Sequence, residues 1–207
     1  MDNDNWFRNA TWNEEIASKF EAKLKRARRK EQYIRIQASM LTGSHPQVAH
    51  ALLTRYFEMS DDYDHAQAHV DRATAYLSEG KIEEAVASYE AALKREEQFP
   101  KLLTMACVDL PYLIALRGMV EHFARAVEIL NSHQNRLMFA VDHFKWNAAQ
   151  AYISHSIGNP TSAKSYATAA LSASQRNNSG FRYHPSVGLV QSSFSEIQSQ
   201  LQRFCDA

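Results

Sequence analysis

Amphipathic helical segments follow one another in pairs along the chain, and the pairs recur. The small residues that open the second helix of each pair are Ala49, Ala85, Ala126 and Ala163, at spacings of 36, 41 and 37 residues. Recurrence every 20–50 residues, roughly, is typical of helical solenoids, in which each pair buries its apolar face against the next. We therefore predict an all-α fold, a right-handed α-α superhelix of about four helical hairpins.

Composition supports this fold class and excludes others. The 207 residues include only six glycines and five prolines, too few for the many tight turns of a β-sandwich or barrel. Hydrophobic residues make up 45% and charged residues 22%, the balance of an ordered globular protein. The longest apolar stretch, 102–116, is interrupted by polar residues and is shorter than the ~20 residues of a membrane span. We expect no transmembrane helix.

The helical segments divide the predicted single domain, 1–207, into three parts. We expect an N-terminal helix within 1–30 and four hairpins over 31–176. A last amphipathic helix over 190–205 should dock on the second helix of the fourth hairpin, 162–174, and cap the open end of the stack.

Two local patterns predict details of these helices. Thr11 followed by Glu14 is a capping-box pattern, which predicts that the first helix begins near Trp12. In the third hairpin, Pro111 lies inside the predicted helical segment 102–117. Because proline lacks an amide proton and its ring clashes with the preceding turn, we expect a kink there.

Residues 73–93 carry small residues where the two helices of a hairpin approach, aromatic residues where hairpins meet, and a glycine at the turn. The residues in these positions are Ala73, Tyr76, Gly80, Ala85, Tyr89 and Ala92. In this order the segment resembles a tetratricopeptide repeat, with His69 in the place of the family's usual tryptophan and Pro100 a few residues late. The whole chain, with Trp6 and Trp12 in its opening segment, also resembles a group of bacterial tetratricopeptide-repeat proteins. That resemblance implies the fold and a bacterial source, and it implies no activity.

The function that we favour is that of an adaptor, which binds a protein or peptide on the concave surface formed by the first helices of the hairpins. The candidate groove residues of the second hairpin are Gln67, Val70, Thr74 and Leu77. Those of the fourth hairpin are Lys145, Ala148, Tyr152 and His155. This set lacks the cluster of Lys, Arg and Asn with which some members of the resembled family bind a C-terminal carboxylate. A chaperone-tail partner is therefore disfavoured.

Motifs of catalysis and nucleotide binding are absent from the sequence, including Gly-x-Ser-x-Gly, the phosphate-binding glycine-rich loop and His-Glu-x-x-His. We therefore predict that the protein is not an enzyme and has no catalytic residue, no metal and no cofactor. One alternative is a small enzyme or metal-dependent factor. It would use His65 and His69, four residues apart on a helix, with Asp61 and Asp62 just before them.

Charge is balanced overall and uneven locally. Lys plus Arg and Asp plus Glu both number 23, so no global field favours nucleic acid or an anionic membrane. Residues 19–30 carry seven bases and one acid, whereas residues 58–97 carry eleven acids and four bases. A second alternative is therefore nucleic-acid binding through the basic N-terminal helix, although that run has few aromatic residues for base stacking.

The cysteines and the first residues bear on the compartment. Cys107 and Cys205 are far apart and form no Cys-x-x-Cys pair, which favours two thiols in a reducing environment. The opening residues are acidic and polar rather than basic and then apolar, so we expect no secretory leader and a cytoplasmic location. The identity of the partner and the oligomeric state are not predicted.

Overall fold

The computed structural model describes residues 5–59 and 63–206. Across these two ranges the chain contains helices and no β-strand, so the prediction of an all-α protein is confirmed. The chain divides into two compact units, residues 1–106 and 107–207. Each unit has a hydrophobic core of its own, whereas one superhelical domain over the whole chain stays a prediction.

Helical hairpins build the first unit. Its described helices are α1 Glu14–Arg26, α2 Lys30–Leu41, α3 Pro46–Phe57, α4 His65–Ser78 and α5 Ile82–Gln98. Helix α2 packs against α3 and α4 packs against α5, which confirms the first two predicted hairpins. Helix α3 also packs against α4, so the two hairpins are stacked.

Apolar side chains at helical spacing form the core of this unit, where burying each large one stabilises the fold by about 1.5–3 kcal/mol. The buried residues are Phe20, Leu24, Ile34, Ala38, Leu41, Ala49, Leu52, Leu53, Tyr56, Ala68 and Ala75. Pro46 occupies the first turn of α3, where the missing amide proton has no intrahelical acceptor to lose.

The first helix begins two residues later than the capping pattern predicts. It starts at Glu14, and its N-cap is Asn13 rather than Thr11. The Asn13 Oδ1 accepts a hydrogen bond from the Ile16 amide at 2.9 Å. Asn is among the best N-cap residues, because its short side chain reaches the exposed amides of the first turn.

The segment before α1 packs onto the first unit. The Trp6 ring lies 5.4 Å from the Phe20 ring and 4.9 Å from the Tyr33 ring, centroid to centroid. Asn9 pairs with the fully buried Gln37: its amide and its Nδ2 donate to Gln37 Oε1 at 3.0 and 2.8 Å. In return, Gln37 Nε2 donates to the Asn9 carbonyl at 2.8 Å. The N-terminal segment thereby covers the open face of the first hairpin.

The second unit contains the remaining helices of the described residues. They are α6 Ala106–Arg117, α7 Phe123–His133, α8 Ala140–Ser156, α9 Pro160–Ser174 and α10 Ser195–Asp206. Ala106, the first residue of α6, is the last residue of the first unit. Helix α8 packs against α9, which confirms the predicted fourth hairpin.

Helix α6 begins four residues later than the start of the predicted segment 102–117. The Thr104 amide and hydroxyl both donate to Glu96 Oε1, at 2.7 and 2.6 Å. The Thr104 Oγ1 then accepts from the Ala106 amide at 3.1 Å, in the manner of a helix cap. The helix extends through Pro111 to its end, and a kink there stays a prediction.

The C-terminal helix docks where the sequence predicts. It begins at Ser195, after a turn of 3₁₀ helix, rather than at residue 190. It packs against α9 and also against α8. Leu201 is fully buried and Phe204 is 6% exposed, so both lie in the core of the second unit.

Two findings bear on the environment of the protein. In the described ranges, none of the helices combines the length and the hydropathy that crossing a bilayer requires. Cys107 is buried, Cys205 is half-buried, and neither takes part in a disulfide bond.

Candidate protein-binding surfaces

The hairpin of α4 and α5 has the close contact and the tight turn that its sequence predicts. Ala73 on α4 and Ala85 on α5 are both fully buried, and side chains this small let two helix axes approach closely. Gly80 has a φ of +73°, a conformation that suits glycine and ends α4. The Gly80 amide donates to the Leu77 carbonyl at 3.1 Å, and the Lys81 amide donates to the Tyr76 carbonyl at 2.9 Å.

A network of ion pairs and hydrogen bonds joins α2 to α4 and includes Gln67, the first groove candidate. Arg35 on α2 donates from Nη1 to Asp71 Oδ2 and from Nε to Asp64 Oδ2, both at 3.1 Å. Gln67 donates from Nε2 to the other Asp71 oxygen, also at 3.1 Å. Burial raises the pKa of Asp71, while Arg35 and Gln67 lower it. Gln67 is therefore held in place by the network.

The other candidates on α4 differ in exposure. Val70 is buried and contributes to packing. Thr74 is exposed, although its hydroxyl donates to the Val70 carbonyl at 3.0 Å. Leu77 is half-buried. A partner could therefore contact Thr74 and Leu77 without any rearrangement of this helix.

In the second unit, the groove candidates Lys145 and Ala148 both contact residues of the same unit. Lys145 Nζ forms an ion pair with Asp109 Oδ1 at 2.7 Å and lies 5.8 Å from the centre of the Tyr112 ring. Ala148 is fully buried and belongs to the core beneath α10. Ala148 thus packs within the protein.

The C-terminal helix lies on the remaining two candidates. The Phe204 ring stacks on the His155 ring at 4.3 Å and meets the Tyr152 ring edge-on at 5.2 Å. Tyr152 also lines a cleft of about 440 Å³, whose other walls include Leu116 on α6 and Arg203 on α10. Helix α10 therefore occupies part of the α8 face that the repeat register assigns to a partner.

The histidines of the metal-binding alternative pack against aromatic rings. The Phe57 ring lies 4.6 Å from the His69 ring and 5.1 Å from the His65 ring. Burial, together with nearby Arg72, His65 and Arg95, lowers the pKa of His69 to about 4.

The two acids of the same alternative, Asp61 and Asp62, lie outside the described residues. Within residues 5–59 and 63–206, no group of three or more His, Cys, Asp and Glu side chains converges as metal ligands would.

The basic run 19–30 is divided between two helices. Helix α1 ends at Arg26, and α2 begins at Lys30 after a short extended break. Within the run, Lys19 Nζ pairs with Glu15 at 2.6 Å, both exposed. Binding of nucleic acid by this run stays a prediction.

One exposed surface was not anticipated from the sequence. The segment 177–189 is a loop, and its aromatic residues Phe181 and Tyr183 are exposed, at 44% and 79%. The sequence signal that marks this region is charge, since residues 143–195 contain no Asp or Glu at all.

Comparison with known proteins identifies one segment of the chain. The family model described as tetratricopeptide repeat matches residues 66–99, which span nearly all of α4 and α5. Comparison with curated proteins and with solved structures found no match. The matched segment has the buried alanines, the positive-φ glycine and the paired helices described above, so the chain is a protein that contains a tetratricopeptide repeat.

Proposed function

We propose that this protein is an adaptor that binds a protein or peptide partner through the exposed faces of its helical hairpins, and that it has no enzymatic activity and no cofactor. The observation that carries this proposal is the tetratricopeptide repeat at residues 66–99, formed by α4 and α5. Tetratricopeptide repeats generally mediate interactions between proteins, and proteins that contain them are typically scaffolds rather than enzymes.

The shape of a repeat hairpin explains this role. Each hairpin offers a long, ordered helix surface, and binding to an ordered surface avoids the entropy cost of folding the binding site. On α4 the exposed Thr74 and the half-buried Leu77 supply such a surface, and the network of Arg35, Asp71 and Gln67 beside them is already formed. We propose a cytoplasmic location, which two cysteines outside any disulfide support.

The proposal is tested by capture followed by quantitative binding. The intact protein is used as bait in its native cell, captured proteins are identified by mass spectrometry, and each purified candidate is titrated against the protein. The variant Thr74→Arg adds a long charged side chain to the exposed face of α4. The matched control Ala87→Arg adds the same side chain to an exposed position of α5.

We expect Thr74→Arg to weaken binding about tenfold or more, as expected when an interface residue is blocked, and Ala87→Arg to leave it unchanged. Circular dichroism of both variants verifies that the helices are retained. The adaptor proposal fails if no purified protein binds. If a purified protein binds but both variants bind it as the unchanged protein does, the assignment of binding to the Thr74 face of α4 is wrong.

A further inference from the structure

The loop 177–189 packs on the start of α8 through specific contacts. The Phe181 ring lies 5.7 Å from the Phe139 ring. The Val141 amide donates to the Gly188 carbonyl at 2.9 Å. Gly188 has a φ of +67°, and a Cβ atom at this residue would clash with the Phe139 side chain. Only glycine therefore allows this close approach.

Hydrogen bonds within the loop hold its exposed residues in one conformation. The Ser179 hydroxyl accepts from the Phe181 amide at 3.1 Å and donates to the His184 carbonyl at 2.7 Å. The Ser179 amide donates to the Pro185 carbonyl at 2.9 Å. An ordered loop loses little conformational entropy when it binds, so it suits recognition better than a flexible one.

The exposed side chains of this region are those that protein interfaces favour. Met138, just before α8, is 67% exposed, and Val187 in the loop is 42% exposed. With Phe181, Tyr183 and the arginines Arg176 and Arg182, they form a surface that we call the 181-loop surface. Aromatic residues, Met and Arg are enriched in protein interfaces, and Tyr and Arg are frequent among the few residues that carry most of the binding energy there.

The sequence around the 181-loop surface is poor in acidic residues. From residue 129 to residue 195 the only acid is Asp142, which is 5% exposed and accepts hydrogen bonds from the Met138 and Phe139 amides. In the described part of the chain, neither Arg176 nor Arg182 forms an ion pair. Burial lowers the pKa of His143, nearby Arg176 lowers it further, and Asp142 raises it. The exposed charges of the surface itself, on Arg176 and Arg182, are therefore both positive.

We infer that the 181-loop surface is a docking site for an acidic protein segment that also carries apolar side chains. The inference rests on the proposed function and adds the place of binding and the chemistry of the partner. The positive charges attract acidic residues, and the apolar side chains need an apolar partner. Met138 and Val187 favour a protein partner over single-stranded nucleic acid. Proteins bind single strands by stacking aromatic rings on the bases and placing cationic side chains along the phosphate backbone, and neither contact uses aliphatic side chains.

The test measures binding of two labelled peptides by fluorescence anisotropy. One peptide alternates Glu with Leu and Phe, and the other has Lys in place of every Glu. The double variant Arg182→Glu/Tyr183→Ala reverses one charge and removes one exposed ring from the surface. The matched control Lys164→Glu/Ile157→Ala makes the same kinds of change at an exposed base of α9 and at the exposed residue after α8.

We expect the acidic peptide to bind, the lysine peptide to bind much more weakly, and added salt to weaken binding. The loop variant should lose about tenfold or more in affinity, whereas the control variant should retain it. Four results overturn the inference: no binding of the acidic peptide at low salt, equal binding of both peptides, equal affinity of the loop and control variants, or stronger binding of a single-stranded oligonucleotide.

Two further measurements separate this inference from other outcomes. Light scattering after size exclusion detects self-association, and if the loop variant abolishes a dimer, the occupant is a second copy and the inference is wrong. If a natural partner binds, is lost in Thr74→Arg and is retained in the loop variant, the adaptor function stands and the inference fails.

Discussion

Replacing Gln37 with Leu tests whether the N-terminal segment is fastened to the first hairpin by buried hydrogen bonds. Gln37 lies on α2, is fully buried, and makes three hydrogen bonds with Asn9 at 2.8, 2.8 and 3.0 Å. Leu has a similar volume, so the substitution removes the hydrogen bonds while filling the same space.

The magnitude follows from those bonds. Each contributes about 0.5–1.5 kcal/mol net, and a buried polar group left without a partner is penalised further. Asn9 is only half-buried, so water replaces part of what is lost. We expect the free energy of unfolding to fall by about 2 kcal/mol, which lowers the melting temperature by ~4–8 °C in a protein of this size.

The assay is denaturant unfolding followed by circular dichroism, with Gln32→Leu as the control. Gln32 is an exposed residue of the same helix, and its substitution should change stability by less than ~0.5 kcal/mol. Asn9→Ala completes a double-mutant cycle for the one hydrogen bond that the Asn9 side chain donates, since the other two use the Asn9 backbone. A coupling of about 0.5–1.5 kcal/mol with Gln37→Leu is expected. Equal stability of the two Gln→Leu variants, or strictly additive effects in the cycle, would refute the argument.

Three further predictions concern other parts of the fold. Ala85→Leu overpacks the contact of α4 with α5 and should destabilise the protein by about 1–3 kcal/mol in denaturant unfolding, whereas Ala87→Leu at an exposed position of α5 should not. Deleting the chain from Gln191 onward uncovers the core beneath α10, so we expect a larger species by size exclusion with light scattering; a stable monomer would contradict the capping role. The pKa of His69 is about 4 in the folded protein against an ordinary 6.5, so the unfolded chain binds the proton more readily and stability should fall as the pH drops from about 6.5 toward 4. We expect His69→Gln to reduce this loss of stability, measured by thermal melts at a series of pH values. An unchanged pH dependence of the melting temperature would contradict the prediction.

Much of the fold is determined locally and could be predicted. Apolar residues at helical spacing locate the helices, because a helix presents one face to the core whatever lies opposite. Gly80 and Pro46 mark a turn and a helix start through their own backbone preferences: Gly80 lies at the predicted turn and Pro46 in the first turn of α3. The repeat at 66–99 was recognisable for the same reason, since its residue types describe contacts within one hairpin.

Contacts between distant segments decided the features that the sequence left open or placed differently. Helix α6 begins at Ala106 because Glu96, which is eight residues before Thr104, accepts hydrogen bonds from Thr104. The N-terminal segment is ordered by Gln37, 28 residues away from Asn9. No local pattern encodes either pairing, since each depends on where another helix passes.

The candidate binding residues show the same division. The repeat register places Tyr152 and His155 on the first helix of a hairpin, and that placement is determined by helical periodicity alone. Periodicity does not determine which side chain covers them, because Phe204 contacts both rings only when α10 packs on α8. Likewise, the sequence alone shows that residues 143–195 contain no Asp or Glu, whereas the contacts of Phe181 and Gly188 with Phe139 and Val141 order the loop 177–189 into a surface. Periodicity and turn chemistry are properties of short segments, but a surface is set by which segments meet, and that is decided by packing over the whole unit.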